Sequence, residues 1–466
     1  MDHTYDVCPT TETIGDLMNH RFNKNDEIDI FPGGKAKILD DEPLGSGGQG
    51  EVYRVRYGNN TYALKWYTSA SIIKNKQFYD NLKKNSSSDP PSDYLLWPKH
   101  VTKYSDQGFG YLMDLIPSTF DSLSDILMTY KIKVENGVAV RKRIRFRNLE
   151  TMVKAALKIV DSFRSLHRQG LSYQDLNDGG IFIDLETGNV LICDCDNVAP
   201  YGDNFGISGK PGYMAPEVVI HLSRPSANTD RYSLAVVLFK LFFRGDPLEG
   251  SKVISCSALT GSNELKHYGT DPIFVFSPFD DSNRPVKGVH DNVIKMWSLY
   301  PDFVRSMFIK TFTDGLKNAA NRPSDNDWYY LMLKLHSSLF KCSCGVSERF
   351  SDPDSQPYVC PHCKSSYPTY IIKNNRHQYP ITIGPNTILK KYQTTKSSEN
   401  YDTVTGQMVQ SKNNPSLFGL KNDSDYPWYA VMPDGLEKTI PSGKIAMFVN
   451  GMSFKFDESV IMKRSD

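Results

Sequence analysis

The chain has 466 residues, which at roughly 100–200 residues per domain predicts two to four domains. Its 54 lysines and arginines balance 53 aspartates and glutamates, and a net charge of +1 argues against a dedicated nucleic-acid or acidic-surface binder. Hydrophobic residues at 39% and aromatics at 12% suffice for real cores, so the chain is not disordered as a whole.

No run approaches the roughly 20 apolar residues of a membrane helix; the longest, Leu234–Phe243, is broken by Lys240. The N-terminus lacks the basic-then-apolar pattern of a secretory signal. Residues 1–34 are polar without a sustained period and read as a flexible lead-in. From Lys35 to about Lys103 the pattern is strand-like, with one helical stretch around Ile73–Lys84 and a loop composition over Asn85–Asp93. From Asn148 the period is helical, placing Leu149, Met152, Val153, Ala156, Leu157, Val160 and Phe163 on one face. A strand-rich start and a helix-rich middle predict two lobes, a small one over about 35–115 and a large one over about 116–340. After His377, short strands and turns predict a small all-β module over 378–462. The expected class is multidomain α+β.

Eight cysteines are too few for a disulfide scaffold in a chain of this length. Cys8, Cys193, Cys195 and Cys256 are scattered, but Cys342, Cys344, Cys360 and Cys363 form C-S-C-G and C-P-H-C, with fifteen residues between the inner pair. Thiolates one or two residues apart on tight turns converge on one tetrahedral Zn²⁺, and four sulfurs close its coordination sphere, so the zinc is structural. This predicts a zinc ribbon over 341–372 and a reducing, cytoplasmic setting.

Five segments carry further chemistry. Leu44 opens L-G-S-G-G-Q-G-E-V, in which Gly45, Ser46, Gly47, Gly48, Gln49 and Gly50 form a loop that approaches phosphates without a Cβ clash, and Val52 follows. Alone, the same glycines would suit a dinucleotide turn or a plain hairpin. A strand-like run then ends in Tyr62-Ala63-Leu64-Lys65. Leu166–Asp184 contains Tyr173-Gln174-Asp175, Val190–Val198 contains Asp194 and Asp196, and Pro211–Glu217 reads P-G-Y-M-A-P-E. Asp230 and Arg322 lie further on.

In this order and spacing the segments resemble a eukaryotic-type protein kinase domain from about Lys35 to about Phe340. The resemblance implies a two-lobed fold that uses ATP with Mg²⁺ or Mn²⁺. It makes Lys65, Asp175 and Asp194 the catalytic set: a phosphate-pairing lysine, the aspartate that accepts or orients the substrate hydroxyl proton, and a Mg²⁺ ligand. The glycine loop, Val52, Ala63, the gatekeeper Met113, and Asp114 and Leu115 of the hinge would contact ATP. Asp230 would anchor the catalytic loop, and Arg322 would pair with Glu217. The wording of Asp93–Pro98 and of the two aspartate segments resembles a bacterial branch found with a von Willebrand A-domain protein and a metal-dependent protein phosphatase, which implies these as partners, with no nucleic acid or membrane involved.

Departures from the pattern matter as much. Gly180 stands where the family carries a second Mg²⁺-binding Asn, Asn177 where Ser/Thr kinases carry a lysine, and Asp196 where the glycine of D-F-G belongs. No Glu lies between Trp66 and Val134, so Asp80 is the expected partner of Lys65, with Gln77 one turn earlier as the alternative. Treating the segment as a strand puts Asp194 and Asp196 on one side, as a metal pair, with Asp178 a further replacement for the lost Asn. Two readings follow: a protein kinase that transfers the γ-phosphoryl group to a protein hydroxyl, Ser/Thr favoured, or a pseudokinase scaffold that binds nucleotide and partners. The last segments, Ile381–Pro385, Phe418–Ser424 and Met447–Gly451, weakly resemble a forkhead-associated β-sandwich, but Pro385 replaces its phosphothreonine-reading Arg. Lys131 to Arg147 holds seven Lys/Arg and one Glu, a solvated insertion or an acidic-partner contact.

Overall fold

The computed structural model describes residues 21–464, apart from 106, 136, 137, 208, 257, 347, 353–356, 376, 412, 413, 415, 416 and 450. The chain divides into two compact units, one running to residue 90 and including 96–116, the other comprising 91–95 and 117–466. No helix among the described residues is long and apolar enough to cross a membrane.

The first unit is an antiparallel sheet in the order β1 (Glu27–Asp29), β2 (Lys35–Ile38), β4 (Gly50–Tyr57), β5 (Asn60–Tyr67), β7 (Gly110–Met113), β6 (His100–Val101), with β3 (Gly45–Ser46) hairpinned onto β4. The expected lead-in over 1–34 lies partly outside the described residues. Its last part is ordered: Ile28 and Ile30 are buried, and β1 pairs with β2. Residues directly opposite in such a sheet share a face. One face carries Tyr53, Val55, Tyr62, Leu64, Trp66 and Leu112, which join Ile28, Ile30, Ala36 and Ile38 in a core. The other carries Val52 opposite Lys65 and Ala63 opposite Met113. The single helix expected around Ile73–Lys84 is two, α1 (Ala70–Ile73) and α2 (Lys76–Asn85), because the Asn75 side chain accepts from the Phe78 amide and starts a new helix.

In the second unit, β8 (Phe120–Ser122) joins a three-stranded sheet with β12 (Ile181–Asp184) and β13 (Asn189–Ile192). The helix α3 (Leu123–Met128) leads to a hairpin of β9 (Tyr130–Glu135) and β10 (Val138–Arg143). The helix α4 (Leu149–Arg168) begins at an Asn148–Thr151 capping box. After α5 (Pro216–Val219), α6 (Ala227–Phe243) is buried on nearly every side, which explains the apolar run Leu234–Phe243: it is a core helix. Phe239 and Phe243 pack there against Trp297 and Phe308.

Beyond the helix Asp325–Ser337, two short hairpins, Leu339–Lys341 with Glu348–Phe350 and Tyr358–Val359 with Ser366–Tyr367, carry the cysteines. Strand Thr369–Asn374, placed partly in the ribbon by the sequence reading, pairs with His377–Thr382 and Val460–Arg464 and so belongs to the following six-stranded sheet. A four-stranded sheet lies against it: a Cβ at Gly406 would stand 2.6 Å from the Trp428 ring.

This C-terminal part is built onto α4 and Asp325–Ser337. Arg164 forms a fork with Glu399 at 3.0 and 2.6 Å, Tyr330 stacks on His377 at 3.6 Å, and Gln393 donates to Ser337 at 2.7 Å. Covered from two sides, α4 buries Thr151, Lys158 and Arg164 besides the predicted apolar face. Arg164→Ala would strand a partly buried carboxylate. Glu399 remains partly exposed, so the expected cost is about 2 kcal/mol, below that of a fully buried pair. Chemical denaturation of the variant beside the wild type measures it.

Candidate active site

Between β3 and β4 the loop closes through Gly47 N–H to the Gly50 carbonyl at 2.9 Å and the reverse bond at 3.2 Å. The glycines there have different reasons. A Cβ at Gly50 would lie 2.0 Å from the Trp66 carbonyl oxygen, whereas one at Gly45, Gly47 or Gly48 would meet nothing within 4 Å. Ser46 is exposed beside them. Gly110, which the sequence reading passed over, is required on the opposite edge of β5, 2.3 Å from the Lys65 carbonyl oxygen. Glycines therefore hug the Lys65–Trp66 backbone from both neighbouring strands.

Lys65 is buried and donates to Gln49 Oε1 at 3.1 Å. Asp80 does not reach it. Its exposed carboxylate bonds Lys76 at 2.9 Å on the same helix, and Gln77 is exposed as well. The helix turns Phe78, Tyr79, Asn81 and Leu82 inward instead, because burying that apolar face outweighs a surface ion pair. Ala63 and Met113 are buried side by side; the exposed Asp114 pairs with Lys99, and Leu115 is half-buried.

In the second unit, the loop after β11 (Leu171–Ser172) presents Asp175. The buried Asp230 carboxylate accepts the backbone amides of Tyr173 at 2.6 Å and Gln174 at 2.8 Å. Gln174 needs that clamp: its φ of 76° is a left-handed conformation costing about 1–2 kcal/mol in a non-glycine residue. Asn177 donates to Asp175 Oδ1 at 3.1 Å and to its carbonyl at 3.0 Å, and so holds the carboxylate.

The Tyr173 hydroxyl donates to the Cys193 carbonyl and ties this loop to the one bearing Asp194. It also explains Gly180: a Cβ there would stand 3.2 Å from that hydroxyl and 3.6 Å from Asp194 Oδ2. Asp194 is left-handed, with φ 54°, and a 3₁₀ turn follows over Cys195–Asn197. The strand alternation expected to align Asp194 with Asp196 therefore fails, since a left-handed residue and a tight turn do not repeat every second residue. Asp194 is half-buried and Asp196 fully buried. Asp178 is no substitute either, because its carboxylate bonds Lys210 at 2.6 Å.

Sequence reasoning missed His167. Its Nε2 lies 3.2 Å from Asp230 and its Nδ1 2.9 Å from Asp325, which also binds Arg231. The signal was available: His167 continues the apolar stripe of Val160 and Phe163 on α4, where an imidazole needs buried partners. The Arg322–Glu217 pair forms as expected, bidentate with both bonds at 2.7 Å.

The four clustered sulfurs lie within 4.8 Å of one another. Cys342–Cys363 at 3.5 Å and Cys344–Cys360 at 3.9 Å bracket the roughly 3.8 Å between sulfurs that each lie about 2.3 Å from one tetrahedral ion. Left-handed residues, Gly345 and Lys364, follow each pair and close the turns. The amides of Cys363 and His362 pull the Cys360 thiol down to about 6, favouring the thiolate a metal requires. The donor set fits zinc.

Burial opposes charging His167, but the Asp230 and Asp325 carboxylates outweigh it and raise its pKa to about 9. Because the folded value exceeds the unfolded one near 6.5, the stabilisation is complete below about pH 6.5 and disappears as pH rises through 9. The loss should be on the order of 3 kcal/mol. Thermal melts from pH 6 to 10 should show it in the wild type, and a flatter profile in His167→Gln.

The protein kinase domain family model matches residues 39–265. Rhodopsin kinase GRK1 of Homo sapiens is 24% identical over 56% of this chain and 44% of its own length. The cAMP-dependent protein kinase catalytic subunit of Dictyostelium discoideum is 25% identical over 42% of this chain and 28% of its own. Serine/threonine-protein kinase sck2 of Schizosaccharomyces pombe is 24% identical over 42% of this chain and 29% of its own. The chain thus spans less than half the length of each of these relatives. The sheet with its glycine loop, the clamped aspartate loop and these matches lead to one conclusion: the chain carries a protein kinase domain.

Proposed function

We propose that this protein is an ATP-dependent protein kinase acting on a protein hydroxyl, Ser/Thr favoured, in the cytoplasm. The observation that carries it is Asp175: Asn177 holds its carboxylate, and Asp230 clamps the loop that bears it. In this reading the substrate hydroxyl attacks the γ-phosphorus, the bond to the β,γ-bridging oxygen breaks with ADP leaving, and Asp175 orients or accepts the hydroxyl proton. Lys65 pairs with phosphates, and Val52, Ala63 and Met113 line the adenine side. The space above Gly45, Gly47 and Gly48 supports their serving ligand approach, since neither packing nor strain asks for glycine there. Asp194 would hold Mg²⁺, which neutralises phosphate charge when bound.

A second reading, a nucleotide-binding scaffold without transfer, is favoured by one observation: the Tyr173 hydroxyl crowds the place where a side chain at Gly180 would begin. Incubation with γ-labelled ATP and Mg²⁺ or Mn²⁺ separates the two. Lys65→Ala and Asp175→Ala should each lower phosphoryl transfer by at least about 100-fold while the fold survives. Wild-type activity in either variant overturns the assignment. Asp194→Asn should abolish transfer. Asp196→Asn, in a sealed turn, should leave the half-saturating Mg²⁺ concentration within about twofold; a larger rise would make Asp196 a shared ligand.

Cys342, Cys344, Cys360 and Cys363 are assigned one structural Zn²⁺, and the two β sheets beyond them a protein-contact role in a forkhead-associated-like sandwich. The motif wording supports a bacterial setting beside a von Willebrand A-domain protein and a metal-dependent phosphatase. Metal analysis of pure protein should find one zinc per chain, and Cys360→Ser should lose it and open the ribbon to proteolysis. Zinc-free, protease-resistant protein would refute the assignment.

A further inference from the structure

The basic segment Lys131–Arg147 holds none of the residues assigned above to phosphoryl transfer, and its backbone gives it an ordered charge pattern. Among the described residues, the β9–β10 hairpin joins no other sheet. From the end of β10 the chain runs extended through Arg143–Arg147, pinned by Ile144 N–H to the Thr129 carbonyl at 3.0 Å and Arg147 N–H to the Leu185 carbonyl at 3.0 Å. Ile144 is buried and Phe146 half-buried, while Arg143, Arg145 and Arg147 are exposed. Side chains of an extended chain alternate, so the two apolar residues anchor the segment and three arginines point outward, successive ones about 6.6 Å apart.

No carboxylate among the described residues pairs with Lys142, Arg143, Arg145 or Arg147, in contrast to Lys131, which is bound to Asp121. Burial lowers the pKa of Arg244, Tyr300 opposes this, and Arg143 adds to the lowering, so two cations stand close here. Exposed Met128, Ile132 and Val140 border the charges.

We propose that Arg143–Arg147 is a docking rail for an extended acidic segment of a partner protein, with carboxylates at every second residue. The spacing matches a strand-like peptide residue for residue, and the aliphatic border suits a peptide's intervening side chains. A single-stranded nucleic acid would need exposed aromatic rings for its bases. The hairpin's tyrosine, Tyr130, is covered by the Arg141 guanidinium at 3.4 Å. The rail operates whether or not the domain transfers phosphate, so its test is a binding measurement.

Fluorescence anisotropy with the full chain should use three labelled probes: a peptide with Glu at alternate positions, one with the same number of Glu in a block, and an oligothymidylate of equal charge. The alternating peptide should bind best and weaken with salt. Arg143→Gln/Arg145→Gln/Arg147→Gln should weaken it at least about tenfold, with an unchanged melting temperature. Should that variant fail to fold, Arg145→Gln alone should weaken binding about threefold. No binding of the alternating peptide, equal affinity in the folded variants, equal preference for the block peptide, or tighter binding of the oligothymidylate would each overturn the proposal.

Discussion

A single buried carboxylate organises the polar interior of the second unit. Asp230, on the core helix α6, accepts the amides of two consecutive residues of the loop that bears Asp175 and faces the His167 imidazole. A buried charge is tolerable only when paired and hydrogen-bonded, and here the loop supplies what the charge requires. The exchange is mutual, since the same bonds hold Gln174 in a backbone conformation it would not otherwise adopt. His167 extends the brace to Asp325 and from there to Arg231, joining α4, α6 and the helix Asp325–Ser337.

The unusual residues around Asp175 and Asp194 compensate one another. The Tyr173 hydroxyl reaches the Cys193 carbonyl, and the glycine at 180 leaves room for that hydroxyl. Each of the two residues fills or vacates space the other needs. The same holds for Asn177, which holds the Asp175 carboxylate from a position where a lysine was expected. In the first unit Lys65 is held by Gln49, a residue of the glycine loop itself.

The C-terminal part shapes the helices of the domain it follows. The Arg164–Glu399 fork, with the guanidinium also 3.6 Å from the Tyr329 ring centroid, requires α4 to be polar on a face that would otherwise meet water. Residues beyond 340 therefore take part in the packing of the second unit.

Much of this was legible in the sequence, for definite reasons. The Asp230 contact with the loop of Asp175 and the Arg322–Glu217 pair are tied to short segments whose order survives folding, and the cysteine spacing announced the cluster of four sulfurs. The period of α4 announced its apolar face. What failed were inferences about where a side chain points once the backbone leaves regular structure. Asp80 and Gln77 face outward because α2 rotates to bury Phe78 and Tyr79, and Asp196 is sealed because a left-handed Asp194 and a 3₁₀ turn break strand alternation. Partners distant in sequence, such as Glu399 for Arg164 or Asp325 for His167, carry no local signal, because only the packing of whole elements decides which buried charges meet.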